Sequence, residues 1–254
     1  MHQWLTMWLA GVGDAALFAA RALREAVRPP YEVRETLRQL YELGCRSVPL
    51  IAVSGFAVGV VLSMHTRSSL ARFGAEGLIP AGLAIALVRE TGPLVAGLLL
   101  AGRIGAGIGA ELGAMKVTEQ IDALEASAVD SFKYLVVTRT VACVIALPLL
   151  TSVMNFTGML GGWVAEATIT GIPFRGYFVQ AFSIVDFADL VPSTLKTTVF
   201  GFIIAVVASY LGINTSRGTE GVGQASTRSV VTASIFLIVA NVLLVRMIFF
   251  FFPD

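Results

Sequence analysis

The sequence predicts an all-α integral membrane protein, and three observations support that prediction. Of 254 residues, 56% are hydrophobic and only 14% are charged, at a mean hydropathy of +0.80, whereas soluble domains carry about 25% charged residues. Five apolar runs are each long enough to cross a hydrocarbon core of roughly 30 Å as a helix. The net charge of +1 and the two cysteines provide neither a basic surface for nucleic acid nor a disulfide framework. A water-soluble enzyme and a nucleic-acid-binding protein are therefore excluded.

The chain predicts a single domain, residues 1–254, with an odd number of membrane spans. The predicted spans are residues 47–66, 77–110, 140–165, 197–216 and 229–252. The second span is unusually long, because as a continuous helix it would measure about 50 Å at roughly 1.5 Å per residue. We therefore expect it to tilt, kink or project from the membrane.

The N-terminal region, residues 1–46, predicts an interfacial helix. Trp4, Trp8 and Phe18 lie near helical spacing, which suits aromatic side chains at headgroup depth. Lysines and arginines are concentrated before the first span, between the second and third, and between the fourth and fifth. Because positive residues stay cytoplasmic, this distribution predicts a cytoplasmic N-terminus and a C-terminus on the opposite side, with Lys196 at the outer edge of the fourth span.

Two charged residues, Arg89 and Glu90, interrupt the second span. Each charge at the centre of a membrane helix costs roughly 2.5–3.5 kcal/mol, and adjacent residues on a helix do not face each other, so we expect each to have a different partner. Pro93 removes the amide that would bond the carbonyl of Arg89. Because broken helices at membrane depth usually line a cavity, the pair predicts a pathway or gate. A structural ion pair tying two spans together is the alternative.

A stripe of small residues continues along the second span, where Gly97, Ala101, Gly105 and Gly109 recur at every fourth position. These positions share one face of a helix and let another backbone approach closely. The approaching helix belongs either to the same chain or to a second subunit of a homodimer, and the pattern leaves both open.

The polar segment 111–130 predicts a short amphipathic helix on the cytoplasmic side, since Val117, Ile121 and Leu124 repeat at i, i+4 and i+7. No histidine, cysteine or nucleophile accompanies its carboxylates, so no catalytic or metal-binding residue is predicted and the chain is not expected to be an enzyme. None of the three lysines follows a glycine, which excludes a P-loop. Any nucleotide-driven work therefore requires a partner subunit.

Four motifs lie within residues 85–130. They read Arg89-Glu-Thr-Gly-Pro, Arg103-Ile-Gly-Ala-Gly, Glu111-Leu-Gly-Ala-Met-Lys and Val117-Thr-Glu-Gln-Ile-Asp-Ala-Leu-Glu. This run resembles the MlaE/YrbE family of ABC-transporter permeases, and a weaker likeness continues through residues 221–231. One departure from the family pattern is Asn241, where relatives often carry an acidic residue.

The resemblance implies a homodimeric ABC permease with an interfacial N-terminal helix and five spans per subunit. It also implies two cytoplasmic ATPase subunits that bind ATP and Mg, a small STAS-domain protein in many systems, and a ring of periplasmic MCE-domain proteins; no cofactor is expected in this chain. The family's coupling helix is similar to residues 111–127, with candidate contacts to the ATPase at Glu111, Lys116, Glu119, Gln120, Asp122 and Glu125. The expected lipid-contacting or gating residues are Arg89, Glu90, Leu62, Leu70, Phe73 and Leu94.

On this basis we expect the membrane subunit of an ATP-driven phospholipid transporter in a Gram-negative inner membrane. Such a subunit moves lipid between that membrane and a periplasmic MCE carrier and maintains the lipid asymmetry of the outer membrane. Two rival functions stay open. One is a secondary transporter or channel that uses Arg89 and Glu90 without an ATPase, and the other is a structural membrane scaffold.

Overall fold

Eight helices account for most of residues 2–216 and 218–251, which are the residues that the computed structural model describes. They are α1 (His2–Ala26), α2 (Val33–Phe73), α3 (Glu76–Val117), α4 (Gln120–Ala126), α5 (Lys133–Thr170), α6 (Phe174–Ala181), α7 (Phe187–Ile213) and α8 (Gly218–Phe251). No strand occurs within these residues, which confirms the all-α prediction. The side chains of Trp4 and Trp8, and Phe252 in the fifth predicted span, lie outside what the structure describes.

Five of these helices, α2, α3, α5, α7 and α8, are long and apolar enough to cross a membrane. Each of them begins or ends about two turns or more outside its predicted span. The helix α3 continues to Val117, so Glu111 and Lys116 belong to its last two turns rather than to a loop.

The helix α7 begins at Phe187, about three turns before the predicted span. Asp186 caps it in a capping box with Asp189, an arrangement that satisfies the free amides of a helix start. This start places Lys196 in the third turn of the helix.

The helix α5 is the most buried of the five spans and packs closely on α2. A Cβ atom added at Gly59 of α2 would overlap the carbonyl of Gly158 on α5, and one added at Gly161 would overlap the carbonyl of Phe56. Glycines at these crossings let the two backbones touch, which supplies dispersion contact where lipid provides no hydrophobic force between helices. The backbones of α2 and α5 are thus in direct contact at these crossings.

Small residues also line the face of α3 that α7 and α8 of the same chain cover. They are Gly97, Ala101, Gly105 and Gly109. A Cβ atom added at Gly97 would lie 3.0 Å from the ring of Phe200 on α7, and one added at Gly109 would overlap the hydroxyl of Ser229 on α8. These close approaches are the first of the two alternatives left open by the sequence, packing within the same chain. The spacing of the small residues predicts that another helix packs closely on this face of α3, but it does not determine which helix that is.

The second half of α1 packs on the adjoining ends of α5 and α7. The ring of Phe18 makes edge-to-face contacts with Phe132 and Tyr210, at centroid distances of 5.1 and 5.4 Å. The guanidinium of Arg21 lies 4.1 Å from the centroid of the Phe132 ring, a cation–π contact. These contacts hold α1 beside the connection between α4 and α5.

Candidate functional site

The helix α3 is disturbed at the residues where the sequence places its charges. A π-helical turn covers Leu87–Thr91, and Pro93 follows it. Proline has no amide hydrogen, so the carbonyl of Arg89 loses its α-helical partner. The ammonium of Lys196 on α7 donates to that carbonyl at 2.7 Å. The proline therefore exposes a backbone acceptor, and a lysine from another span satisfies it.

The neighbouring Glu90 is bound by two other spans. Its Oε1 accepts a hydrogen bond from Nζ of Lys196 at 3.2 Å, and its Oε2 accepts one from Nδ2 of Asn241 on α8 at 3.0 Å. The side chain of Lys196 is only 1% exposed, whereas that of Glu90 is 43% exposed. Because an unpaired buried charge is very costly, Glu90 is the group that permits Lys196 to be buried.

Arg89 is bound to the first turn of α7. Its Nε donates to Oδ1 of Asp189 at 2.7 Å, while Oδ2 of Asp189 accepts the backbone amide of Asp186 at 3.2 Å. One carboxylate therefore both caps α7 and pairs with Arg89. The prediction that Arg89 and Glu90 have different partners is confirmed.

We call Arg89, Glu90, Asp189 and Lys196 the charge network. It contains two positive and two negative groups, so it is formally neutral, and it ties α3 directly to α7. Guanidinium and ammonium groups are also the side chains that bind phosphate. The arrangement serves as a structural tie between α3 and α7.

Sequence reasoning missed two members of the charge network, Asp189 and Lys196. The segment between the predicted third and fourth spans, residues 166–196, contains few charges. The signal that could have found them is the spacing of Asp186 and Asp189, because a carboxylate three residues after an N-cap marks a helix start. A helix starting there carries Lys196 to the depth of Glu90.

The apolar residues predicted to contact lipid have different surroundings from one another. Leu62 packs on the buried cluster that contains Leu87 and Tyr177. Leu94 is half-buried on the helical turn that follows the charge network. Leu70 is half-buried near the end of α2, and Phe73, at that end, is 83% exposed. The structure therefore brings Leu94 near Arg89 and Glu90, and it places Phe73 at the connection between α2 and α3.

The segment predicted to couple to an ATPase has the expected amphipathic pattern. Glu119 adopts a left-handed backbone conformation, with a φ of 59°, and so separates α3 from α4. Ile121 is buried and anchors α4 on the bundle. The exposed predicted residues are Glu111, Glu119, Gln120, Asp122 and Glu125.

Two local contacts fix this segment. Nζ of Lys116 lies 3.1 Å from Oδ1 of Asp122, and the hydroxyl of Ser131 donates to Oε1 of Glu125 at 2.6 Å. The segment is therefore held at both ends while it presents carboxylates outward.

Two further ion pairs lie near opposite ends of α5. At one end Nη2 of Arg139, which is 2% exposed, lies 2.7 Å from Oε1 of Glu111. At the other end the carboxylate of Glu166 accepts hydrogen bonds from Nη2 of Arg67 at 2.6 Å and from the hydroxyl of Ser63 at 3.1 Å. Neither pair can be predicted from the sequence, because the partners lie on different helices.

Tyr177 of α6 lies beside the second of these pairs. Its side chain is fully buried, and no hydrogen-bond partner for its hydroxyl is found among the described residues. Burial raises the pKa of Tyr177 above its usual value, and the negative charge of Glu166 raises that pKa further. No group of three or more His, Cys, Asp or Glu side chains that could hold a metal occurs in the described part of the chain.

The family of the chain follows from comparison with known proteins. Residues 36–247 match the family model described as Permease MlaE. The chain belongs to the MlaE permease family. This finding confirms the resemblance carried by the four motifs between residues 85 and 130.

Individual relatives of this MlaE permease are similar over almost its full length. A probable ABC transporter permease protein of Rickettsia typhi is 37% identical over 238 residues, which cover 94% of this chain and 92% of that protein. The intermembrane phospholipid transport system permease protein MlaE of Haemophilus influenzae is 31% identical, covering 92% of this chain and 89% of that protein. The chloroplastic protein TRIGALACTOSYLDIACYLGLYCEROL 1 of Arabidopsis thaliana is 30% identical, covering 90% and 65%.

Proposed function

We propose that this MlaE permease is the membrane subunit of an ATP-driven phospholipid transporter in a Gram-negative inner membrane. It moves phospholipid between that membrane and a periplasmic MCE-domain carrier, and so maintains the lipid asymmetry of the outer membrane. The observation that carries the proposal is the match of nearly the whole chain to permeases, one of which is named for intermembrane phospholipid transport.

The proposed assembly is a homodimer with two cytoplasmic ATPase subunits, which bind ATP and Mg, and with a STAS-domain protein in some systems. The absence of a P-loop from this chain supports a separate ATPase. The contact with the ATPase is made by α4 and the end of α3. The anchoring of Ile121 supports this assignment, because a segment fixed to the bundle can transmit the movement of a docked partner.

The charge network supports a role as a gate or as a headgroup site. The side chain of Arg89 is 32% exposed and that of Asp189 is 10% exposed, so Arg89 is its accessible cation. A lipid phosphate that binds Arg89 competes with Asp189 and loosens the start of α7. ATP binding in the partner would then shift the population of such states through residues 111–127.

The test begins with gentle extraction of the tagged chain from its own membranes and native mass spectrometry of the complex. We expect two copies of this chain, two ATPase chains and retained phospholipid. Reconstituted complexes should transfer radiolabelled phospholipid to a soluble MCE domain when ATP is added. A complex whose ATPase carries a substituted P-loop lysine is the matched control and should transfer none.

Two further results decide between the proposal and its rivals. Charge reversal of Asp122 and Glu125 should release the ATPase, whereas Arg175→Glu, an exposed reversal on α6, should leave it bound. Retention of lipid transfer by the Asp122 and Glu125 variant would contradict the coupling role and favour a scaffold. Transport by this chain alone that follows membrane potential or pH would establish a secondary transporter instead.

A further inference from the structure

Arg103 of α3 is a charged residue in an apolar part of a membrane-crossing helix. Residues 92–102 before it and 104–110 after it contain no charged side chain. The side chain of Arg103 is exposed, and no hydrogen bond or ion pair of its guanidinium is found among the described residues. Because a charge in a membrane helix is costly and is almost always paired, we expect its counter-charge to come from outside the described part of the chain.

The position of Arg103 along α3 corresponds to the headgroup region of one leaflet. Glu76, at the start of α3, is exposed and pairs with Arg67 of α2 at 3.3 Å. Arg103 lies about 40 Å from Glu76 along the helix, at roughly 1.5 Å per residue. A bilayer is about 40–45 Å thick with its headgroups. With Glu76 in one headgroup region, Arg103 therefore lies in the other, on the side of the protein that carries α4.

The surface of α3 beside Arg103 is open. Gly102 precedes Arg103, and Gly107 lies one turn further along the same face of the helix. A Cβ atom added at either glycine meets no atom within 4 Å. By contrast, Gly105 and Gly109 lie on the face of α3 that α7 and α8 cover. The surface next to the guanidinium therefore has room for a lipid headgroup.

A lipid phosphate fits this position better than a carboxylate from a second copy of the chain. The carboxylates of α3 nearest to Arg103 are Glu90 and Glu111, which lie about 20 and 12 Å away along the helix. The one carboxylate of α8, Glu220, lies in the first turn of that helix. A second copy that presents α3 or α8 at the same depth therefore brings no carboxylate to Arg103. A phosphate is present at headgroup depth in every phospholipid, and its oxygens match the parallel N–H groups of a guanidinium.

We propose that Arg103 binds the phosphate of a phospholipid in the leaflet on the α4 side, and that the headgroup occupies the open surface at Gly102 and Gly107. This site is separate from the charge network, because Arg89 lies about 20 Å away along α3. The site does not depend on an ATPase, so it stands whether or not the transport function proposed above is correct.

The experiment uses the full-length chain, purified in detergent and analysed by native mass spectrometry. The chain is incubated with equal amounts of phosphatidylglycerol and of a diacylglycerol that has the same acyl chains. Because the diacylglycerol lacks only the phosphoglycerol headgroup, an excess of bound phosphatidylglycerol measures binding of that headgroup. We expect the unsubstituted chain to retain phosphatidylglycerol over diacylglycerol by about tenfold, the factor that one hydrogen bond to a charged group supplies.

Substitutions at two positions, each with a matched control, make the test specific. Arg103→Gln removes the charge and should retain one phosphatidylglycerol fewer per chain, whereas Arg103→Lys keeps the charge and should retain part of that lipid. Gly107→Trp fills the open surface without altering Arg103 and should also retain one fewer. The controls are Arg175→Gln, at an exposed arginine of α6, and Gly223→Trp, at a glycine of α8 with equally open surroundings. Both controls should retain as much phosphatidylglycerol as the unsubstituted chain.

Three results would overturn the proposal. Equal retention of phosphatidylglycerol by Arg103→Gln and the unsubstituted chain would mean that Arg103 holds no lipid. Displacement of the lipid by an excess of inorganic phosphate would mean that the site binds free phosphate. A dimer that separates in Arg103→Gln without loss of lipid would assign the counter-charge to a second copy. None of these results bears on ATP-driven transfer, which the complex tests separately.

Discussion

Breaking the buried pair between Glu90 and Lys196 should destabilise the protein unequally, depending on which partner is removed. Glu90→Gln removes the carboxylate and leaves the ammonium of Lys196, 1% exposed, without a counter-charge. Loss of one partner of a fully buried pair costs about 3–5 kcal/mol. Because Glu90 is itself 43% exposed, we expect a smaller loss of about 2–3 kcal/mol in the free energy of unfolding.

Lys196→Met should lower the free energy of unfolding by less than Glu90→Gln does. In this variant the carboxylate of Glu90 still accepts the hydrogen bond from Asn241 and stays partly exposed. The main loss is the hydrogen bond that Lys196 donates to the carbonyl of Arg89, worth about 1–2 kcal/mol. The double variant buries no unpaired charge and should resemble Lys196→Met alone. The coupling energy between the two sites then equals the cost of Glu90→Gln, about 2–3 kcal/mol.

The assay is equilibrium unfolding of the purified chain in mixed micelles, titrated with sodium dodecyl sulfate and followed by circular dichroism. Arg46→Met is the control, because Arg46 forms an exposed pair with Glu42 and its loss should cost about 0–1 kcal/mol. The reasoning would be refuted if the stability losses of the two single variants added up in the double variant. It would also be refuted if Lys196→Met were less stable than Glu90→Gln.

Three other substitutions test the packing, the backbone and a buried phenol. Gly109→Leu should destabilise the chain by about 1–3 kcal/mol, because the new side chain overlaps Ser229. Gly107→Leu is the control and should not destabilise it, because nothing lies within 4 Å of a Cβ atom added at Gly107. Equal effects of the two substitutions would contradict the packing of α3 on α8. Glu119→Val should lower the free energy of unfolding by about 1–2 kcal/mol, whereas Glu119→Gly should not lower it. The reason is that only glycine adopts a left-handed backbone conformation without cost. The same unfolding titration measures both variants. The raised pKa of Tyr177 means that the folded state favours the neutral phenol, so stability should be constant below pH 10, the unfolded value, and fall by about 1.4 kcal/mol per pH unit above it. Tyr177→Phe should remove that fall, and its persistence in the variant would assign it to another group.

The sequence predicted the number of spans, the disturbed second span and the amphipathic segment because each depends on local composition. Apolar length determines which helices cross a membrane, Pro93 disturbs a helix wherever it stands, and the repeat of Ile121 with its neighbours describes one helix face. The two charges of the second span were expected to have different partners for the same local reason, namely their adjacency on a helix.

The partners themselves could not be predicted, because they depend on which helices pack together. Lys196 and Arg89 are 107 residues apart in the chain, and nothing in either segment specifies the other. The stripe of small residues shows the same limit, since Gly109 contacts Ser229 of its own chain rather than a second subunit.

The two ion pairs of α5 give the bundle a mechanical linkage. Arg139 and Glu166 lie about 40 Å apart along one helix, at roughly 1.5 Å per residue, and each is fastened to a different neighbouring span. A displacement of Glu111 is expected to be transmitted along α5, and the helix is weakest at Pro148, where one backbone hydrogen bond is missing. The two ends of α5 can thereby move together with the helices to which they are paired.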